Sequence, residues 1–311
     1  MFPIIPANSV TAADPANDEG IFYGGWTGSV QGMSNLISNI GVLSSDVAAV
    51  ASGRIYPGGT QYGNDKGIFG FGTDASGDDG TTNLVSNTGV IASDTAAVGT
   101  ARKEIAAATY GADKGIFAWG NEGGTQIDQG NLVSNTGVVA SDHTMVGTKK
   151  VSYWSCEFSG DQDKGIFGYG YDPLSPDDPP YFDGSNIVGN TGVVESDVTN
   201  TGTARNNISG CSYGSDKGIC AYGHAGYAAD VNTRNLISNV GVVADDASGI
   251  GTIRTRSGAC EYGEDKGIFL MGSKVSARLD ETNLVSNTGV VAADVSGVGT
   301  ARTGGTGLSF N

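Results

Sequence analysis

The chain has 311 residues, 51 of them Gly, and a formal net charge of −16 at pH 7. So acidic a surface repels phosphate backbones and anionic membranes, which argues against nucleic acid as a partner. No run of 18 apolar residues occurs, so no helix is expected to insert in a membrane, and the opening MFPIIPANSV lacks the basic region and apolar length of a secretory signal.

Residues 1–17 are apolar, then small and polar, with Pro3, Pro6 and Pro15, and read as an extended arm. Phe2, Ile4 and Ile5 are its candidate anchoring residues. From residue 18 to the end one pattern recurs. DKGIF stands at 65–69, 113–117, 163–167 and 265–269, with looser copies at 18–22 (DEGIF) and 216–220 (DKGIC). The steps between these six are 47, 48, 50, 53 and 49 residues. Each copy is followed by a block such as NLVSNTGVV (131–139) and then by one such as GTAR (99–102). Self-similarity at this period marks units that bury their apolar faces only against neighbours. It divides the chain into the arm, 1–17, and one repetitive domain, 18–311.

The unit 99–142 serves as the pattern. IAAATY (105–110) is small and uncharged, which suits a tightly packed strand. GADKG (111–115) is a hairpin turn, because Gly and Asp supply the backbone angles that a short turn needs. IFAW (116–119) is β-branched and aromatic, a second strand. A polar loop, 120–130, leads to a third strand, NLVS (131–134). NTG (135–137) is the next turn, and a fourth strand begins at 138. Helical periodicity is absent throughout. Four short antiparallel strands per unit of about 50 residues predict an all-β, six-bladed β-propeller. The C-terminal segment GTARTGGTGLSF (299–310) repeats a unit's start and stops, so it is expected to close the ring in the first blade, in preference to VTAA (10–13).

Cys156, Cys211 and Cys260 fall in one slot of the repeat, where other units have Ala108 or Ala13, and read as small buried thiols. Cys211 and Cys220 flank one turn, but no disulfide is assigned. No CxxC or His-rich spacing marks a metal site. Asp94, Asp142, Asp197, Asp246 and Asp294 precede each crossover, and Arg102, Arg205, Arg254 and Arg302 follow. One group repeated in every unit points to structure, since an active site needs unlike groups converging. His143 and His224 lie in different units without a partner signature. GxSxG, Walker and HExxH motifs are missing, so no enzyme activity and no cofactor is predicted.

What varies is the loop between the second and third strands, for instance 26–34, 73–82 and 171–185 (YDPLSPDDPPYFDGS). Variable loops on a rigid frame are where binding resides. Trp26, Tyr171, Tyr181, Phe182, Tyr227 and Arg278 are the candidate contacts, as aromatic rings suit sugar faces or protein hot spots. Asp172, Asp177, Asp178 and Asp183 read as a solvated acidic loop, with calcium ligation as the sharper alternative.

The blade pattern resembles Kelch-type propellers in the Arg opening the first strand, the YGxDKGIFGFG strand-turn-strand and the turn-linked later strands. The Kelch double glycine survives only as Gly24-Gly25, and the fourth-strand Trp is absent. IFAWGNEGG is similar to a strand of regulator-of-chromosome-condensation propellers. The opening MFPIIPANS and the DKGIFGYG and NLVSNTGVV repeats resemble structural proteins of marine tailed bacteriophages. That resemblance implies a virion component, a tail-fibre or appendage module or a head decoration protein. It would sit on other virion proteins and present loops to a host-surface glycan or protein. A carbohydrate-active enzyme using loop carboxylates and a soluble Kelch-type interaction module are the alternatives.

Overall fold

The computed structural model describes residues 18–48, 51–159, 163–174, 180–226, 229–275 and 277–310. The arm, with Phe2, Ile4 and Ile5, and the alternative closing segment 10–13 lie outside them. The described chain is all-β, with no helix among the described residues. The first unit holds β1 (Glu19–Tyr23) and β2 (Ser34–Ile37), and the second β3 (Gly58–Tyr62), β4 (Lys66–Gly70) and β5 (Thr82–Val85). The third has β6 (Ala106–Tyr110), β7 (Lys114–Ala118), the small hairpin β8 (Asn121–Glu122) and β9 (Thr125–Gln126), β10 (Gln129–Val133) and β11 (His143–Thr144). The fourth has β12 (Trp154–Phe158), β13 (Lys164–Gly168), β14 (Gly184–Val188) and β15 (Val198–Thr199). The fifth has β16 (Ser209–Tyr213), β17 (Lys217–Ala221), the hairpin β18 (His224–Ala225) and β19 (Ala229–Asp230), and β20 (Arg234–Ile237). The sixth has β21 (Gly258–Tyr262), β22 (Lys266–Lys274) and β23 (Ala277–Val285), and β24 (Thr306–Phe310) is the last of the described strands.

Each unit forms one antiparallel sheet in the order first, second, third strand, as in β3-β4-β5. In the first unit the place of the first strand is taken by β24, which pairs with β1 from Glu19↔Phe310 to Tyr23↔Thr306. The fourth strand expected in each unit is reduced to bridges or a two-residue strand. The third unit is typical: Val133 bridges Val139, then Gly130 pairs with His143, a register shifted by one residue. The same shift separates Val85↔Ile91 from Thr82↔Thr95 and Val285↔Val291 from Thr282↔Val295. A buried Asn sits at the shift. Asn131 sends its side-chain amide to the Ala140 carbonyl (3.0 Å), an acceptor that a regular ladder would have given to the backbone, and to the Asp142 carboxylate (2.9 Å).

The first strands succeed one another in space: β3 packs on β6, β6 on β12, β12 on β16, β16 on β21, β21 on β24 and β24 on β3. Because side chains alternate along a strand, one set points to the neighbouring unit and the other away from it. The Cys156, Cys211 and Cys260 thiols belong to the first set. A methyl group on Gly218, Gly267 or Gly20 of the next unit would meet them at 2.2, 2.5 and 2.7 Å. The glycine of each DKG or DEG turn is therefore the flat surface on which a first-strand side chain of the preceding unit rests, Leu308 over Gly67 being the largest. All four cysteines are buried and free, and burial pushes every thiol pKa up, that of Cys220 to about 11.

Candidate functional site

Six equivalent polar clusters pin each unit's first strand to its last segment. In the third unit, Arg102 is fully buried and donates to the Asn131 amide oxygen (2.8 Å) and the Trp119 carbonyl (2.7 Å). Thr100 donates to Asp142 through its amide (2.9 Å) and hydroxyl (2.7 Å). Burial works against ionisation of Asp142, yet bonds from Thr100 and Asn131 and the Arg102 charge hold its carboxyl below the usual range. The first unit builds its cluster from both chain ends. Asp46 receives Thr300 and Arg302, Asn35 receives Arg302, and Arg302 Nε reaches the Gly24 carbonyl (2.8 Å). Repetition in every unit makes these clusters structural.

One member departs. Lys150 stands where the other five units have Arg54, Arg102, Arg205, Arg254 and Arg302, and it too is fully buried. Its ammonium lies 3.6 Å from the centre of the Trp119 ring and 4.6 Å from that of Phe182.

The variable loops start beside the first strands. Trp26, Thr73, Asn121, Tyr171, His224 and Ser273 bridge Thr303, Ile55, Lys103, Val151, Asn206 and Thr255. The residue after each of the latter six is Gly304, Tyr56, Glu104, Ser152, Asn207 or Arg256, all at left-handed φ between 54° and 72°. Their backbones are joined: the Tyr56 amide donates to the Gly304 carbonyl (2.7 Å), Gly304 to Arg256 (2.9 Å), Arg256 to Asn207 (3.0 Å), Asn207 to Ser152 (2.7 Å) and Ser152 to Glu104 (3.3 Å). In a repeat this uniform, that slot carries six different residue types. Reading the column two residues after each basic residue finds it in the sequence, a signal that attention to loop aromatics passed over.

These residues frame the mouth of a cavity of about 180 Å³ lined by all six first strands. Below the mouth its wall is made of small residues, Gly59, Ala107, Ser155, Gly210, Ala259 and Gly307. Two positions further, at the floor, stand Gln61, Thr109, Glu157, Ser212, Glu261 and Ser309. At the mouth, Arg256 approaches Asn207 (Nε to Oδ1, 3.4 Å) and the Tyr56 ring. Burial raises the pKa of Glu104, opposed by the Lys103 and Arg256 charges, and burial also raises that of Tyr56.

The loop candidates are dispersed around this mouth. Tyr171 and Tyr181 bridge one another with rings 6.4 Å apart, edge to face. Tyr181 is buried and donates its hydroxyl to the Gly226 carbonyl of the next unit (2.9 Å). Phe182 is half-buried against Lys150. Trp26 is half-buried in a small loop closed by Val30. Arg278 is exposed on β23, close to Gly28 of that loop. Tyr227, Asp177 and Asp178 lie outside the described residues. Asp172 caps its own turn by accepting the Leu174 amide (2.9 Å), and Asp183 gives its carbonyl to Asn200 (3.0 Å). His224 pairs with Asp230 (2.9 Å) across the β18–β19 hairpin, and Asp230 also accepts the Val275 amide (2.9 Å) of the sixth unit. Loops thus buttress one another between units, as Lys103 and Asp78 do (3.1 Å).

Neither a family model nor a curated protein matches the chain.

Proposed function

We propose that the six sheets are the blades of a closed, Kelch-like β-propeller, a non-enzymatic scaffold that displays its loop face to a partner. The succession of first strands, with β24 seated between β21 and β3, supports closure. So do two belts of backbone bonds. One joins the mouth residues. The other joins the DKG turns, from Gly63 to the Asp113 carbonyl (2.8 Å) on to Gly263 and the Asp18 carbonyl (2.9 Å).

The observation that carries the binding role is the distribution of variation. The DKG and NTG turns are near-identical from unit to unit, whereas the loops and the mouth slot differ in all six. A display face is built this way, with changes confined to surfaces that the frame does not need. The setting follows the resemblance of the repeats to phage structural proteins: a virion appendage or decoration, held to other virion proteins by residues 1–17, with a host-surface glycan or protein as ligand.

Mass spectrometry of purified particles tests the setting, and adsorption by particles whose 171–183 loop is replaced by a Gly-Ser linker of equal length tests the role. The proposal expects the chain in the particle and reduced adsorption after the exchange. A particle lacking the chain contradicts the setting, and unchanged adsorption by exchanges of every loop contradicts the role.

A further inference from the structure

Each first strand lies at the border of its sheet, so one side of its backbone has no strand partner among the described strands, and six such borders meet at the cavity. An open border is a row of N–H donors and C=O acceptors, polar but uncharged. Four serines of the lining show which group suits it. Ser155 donates to the Ala107 carbonyl of the preceding unit (2.7 Å), and Ser209 to the Ser257 carbonyl of the following one (2.6 Å). Ser212 accepts the Glu157 amide (3.2 Å) and donates to the Glu157 carbonyl (3.0 Å), and Ser309 treats Glu261 in the same way (2.9 Å each). A hydroxyl, donor and acceptor at once, matches an N–H and C=O pair. At Gln61 the pattern breaks. The hydroxyl in the matching place of the next unit, Thr109, turns instead to the Thr60 hydroxyl (3.3 Å) and the Glu157 carboxyl. Gln61 is 8% exposed, and its side-chain nitrogen has no hydrogen-bond partner.

We propose that this cavity binds a small neutral polyol, whose hydroxyls bond the open strand borders and one of which accepts the Gln61 amide proton. A volume of about 180 Å³ holds several waters or one compact organic molecule. The chemistry of the lining disfavours other classes. An apolar guest would leave the Gln61 nitrogen and the border groups unpaired and out of water. An anion would meet Glu104, Glu157 and Glu261 against Arg256, the one basic residue of the lining among those described. A cation cannot rely on Glu157, because burial, with the Glu261 charge, raises the pKa of that carboxyl well above the ordinary value. A polyol carries no net charge and replaces water bond for bond, as the serine hydroxyls already do. The inference rests on the cavity and not on the loop-presenting role, so the two fail separately.

Ligand-observed NMR titration of the full chain tests it, with erythritol, 1-butanol (the same carbon chain with a single hydroxyl), sodium acetate and ethylammonium chloride as probes. Each is taken up to about 100 mM, since a few neutral hydrogen bonds support affinity no tighter than about millimolar. Erythritol should bind, 1-butanol at least about threefold more weakly, and the two ions not at all. Gln61→Leu, which keeps the bulk and loses the donor, should weaken erythritol at least about threefold. The ranking of probes on the unaltered chain stands even if the variant does not fold. No binding of erythritol, 1-butanol as tight as erythritol, either ion tighter than erythritol, or erythritol binding indifferent to Gln61→Leu each overturns the proposal.

Discussion

Replacing Lys150 by Met isolates the one cation of the six clusters that is able to lose its proton. Nζ donates to the Asn186 amide oxygen (2.7 Å) and the Thr148 carbonyl (3.2 Å), and the rings of Trp119 and Phe182 cover it. Burial pulls its pKa down to about 7, against the pull of the Asp197 and Asp172 carboxylates. An unfolded lysine titrates near ~10.4, so between these values the unfolded chain holds a proton that the folded chain has released. Stability contributed by this group therefore rises with pH across that window. For a folded pKa near 7 the rise between about pH 7 and pH 8.5 is about 1.5 kcal/mol. The four buried cysteines, whose unfolded thiols ionise near about 8.5, add an opposing slope at the upper end, which is the same in both proteins and cancels in their difference. Urea unfolding of the wild type and Lys150→Met at several pH values reads the difference between the two slopes. Asn186 loses a partner in the variant, which shifts its whole curve by about 1 kcal/mol but leaves the slope untouched. Curves that stay parallel from pH 7 to 8.5 would refute the reasoning, because the lysine would then be charged throughout.

Two further outcomes follow from the frame. Asp46, Asp94, Asp142, Asp197, Asp246 and Asp294 all have lowered pKa values in the folded chain. Their contribution is fully present above the unfolded carboxyl value and disappears as pH falls through the folded ones, so circular dichroism should show cooperative acid unfolding below about pH 4. Gly137 has φ +78°, and a Cβ there would lie 2.8 Å from Leu84 and 2.9 Å from Tyr62 of the preceding unit. Gly137→Ala should cost at least about 2 kcal/mol in urea unfolding, with an unchanged midpoint as the contrary result.

Much of this frame is legible in one unit's sequence. The β-branched and aromatic run after each DKG turn becomes the central strand, and the Asp and Arg slots become the clusters that hold each sheet's ends together. The short last segment was not legible, because the alternation at 138–140 looks like a strand, while the Asn131 side chain takes the Ala140 carbonyl that would have continued its pairing. Lys150 was hidden for a different reason. Its distinction lies in Trp119 of the preceding unit and Phe182 of its own loop, neighbours that only the assembled sheets bring together. The aromatic loop residues were visible, but exposure is not written in residue type: Tyr181 spends its hydroxyl on a neighbouring loop. The mouth slot was legible in principle, as a column in which Tyr56, Glu104, Ser152, Asn207, Arg256 and Gly304 all differ.

Closure by the chain's own end underlies the whole account, and native-state hydrogen exchange tests it most directly. If β24 completes the first sheet, the amides of Thr306–Phe310 that face β1 are protected as strongly as those of β1, and Asp46→Ala releases both strands together. Exchange of the β24 amides at the rate of a frayed terminus, while the strands from β3 to β23 stay protected, would contradict it.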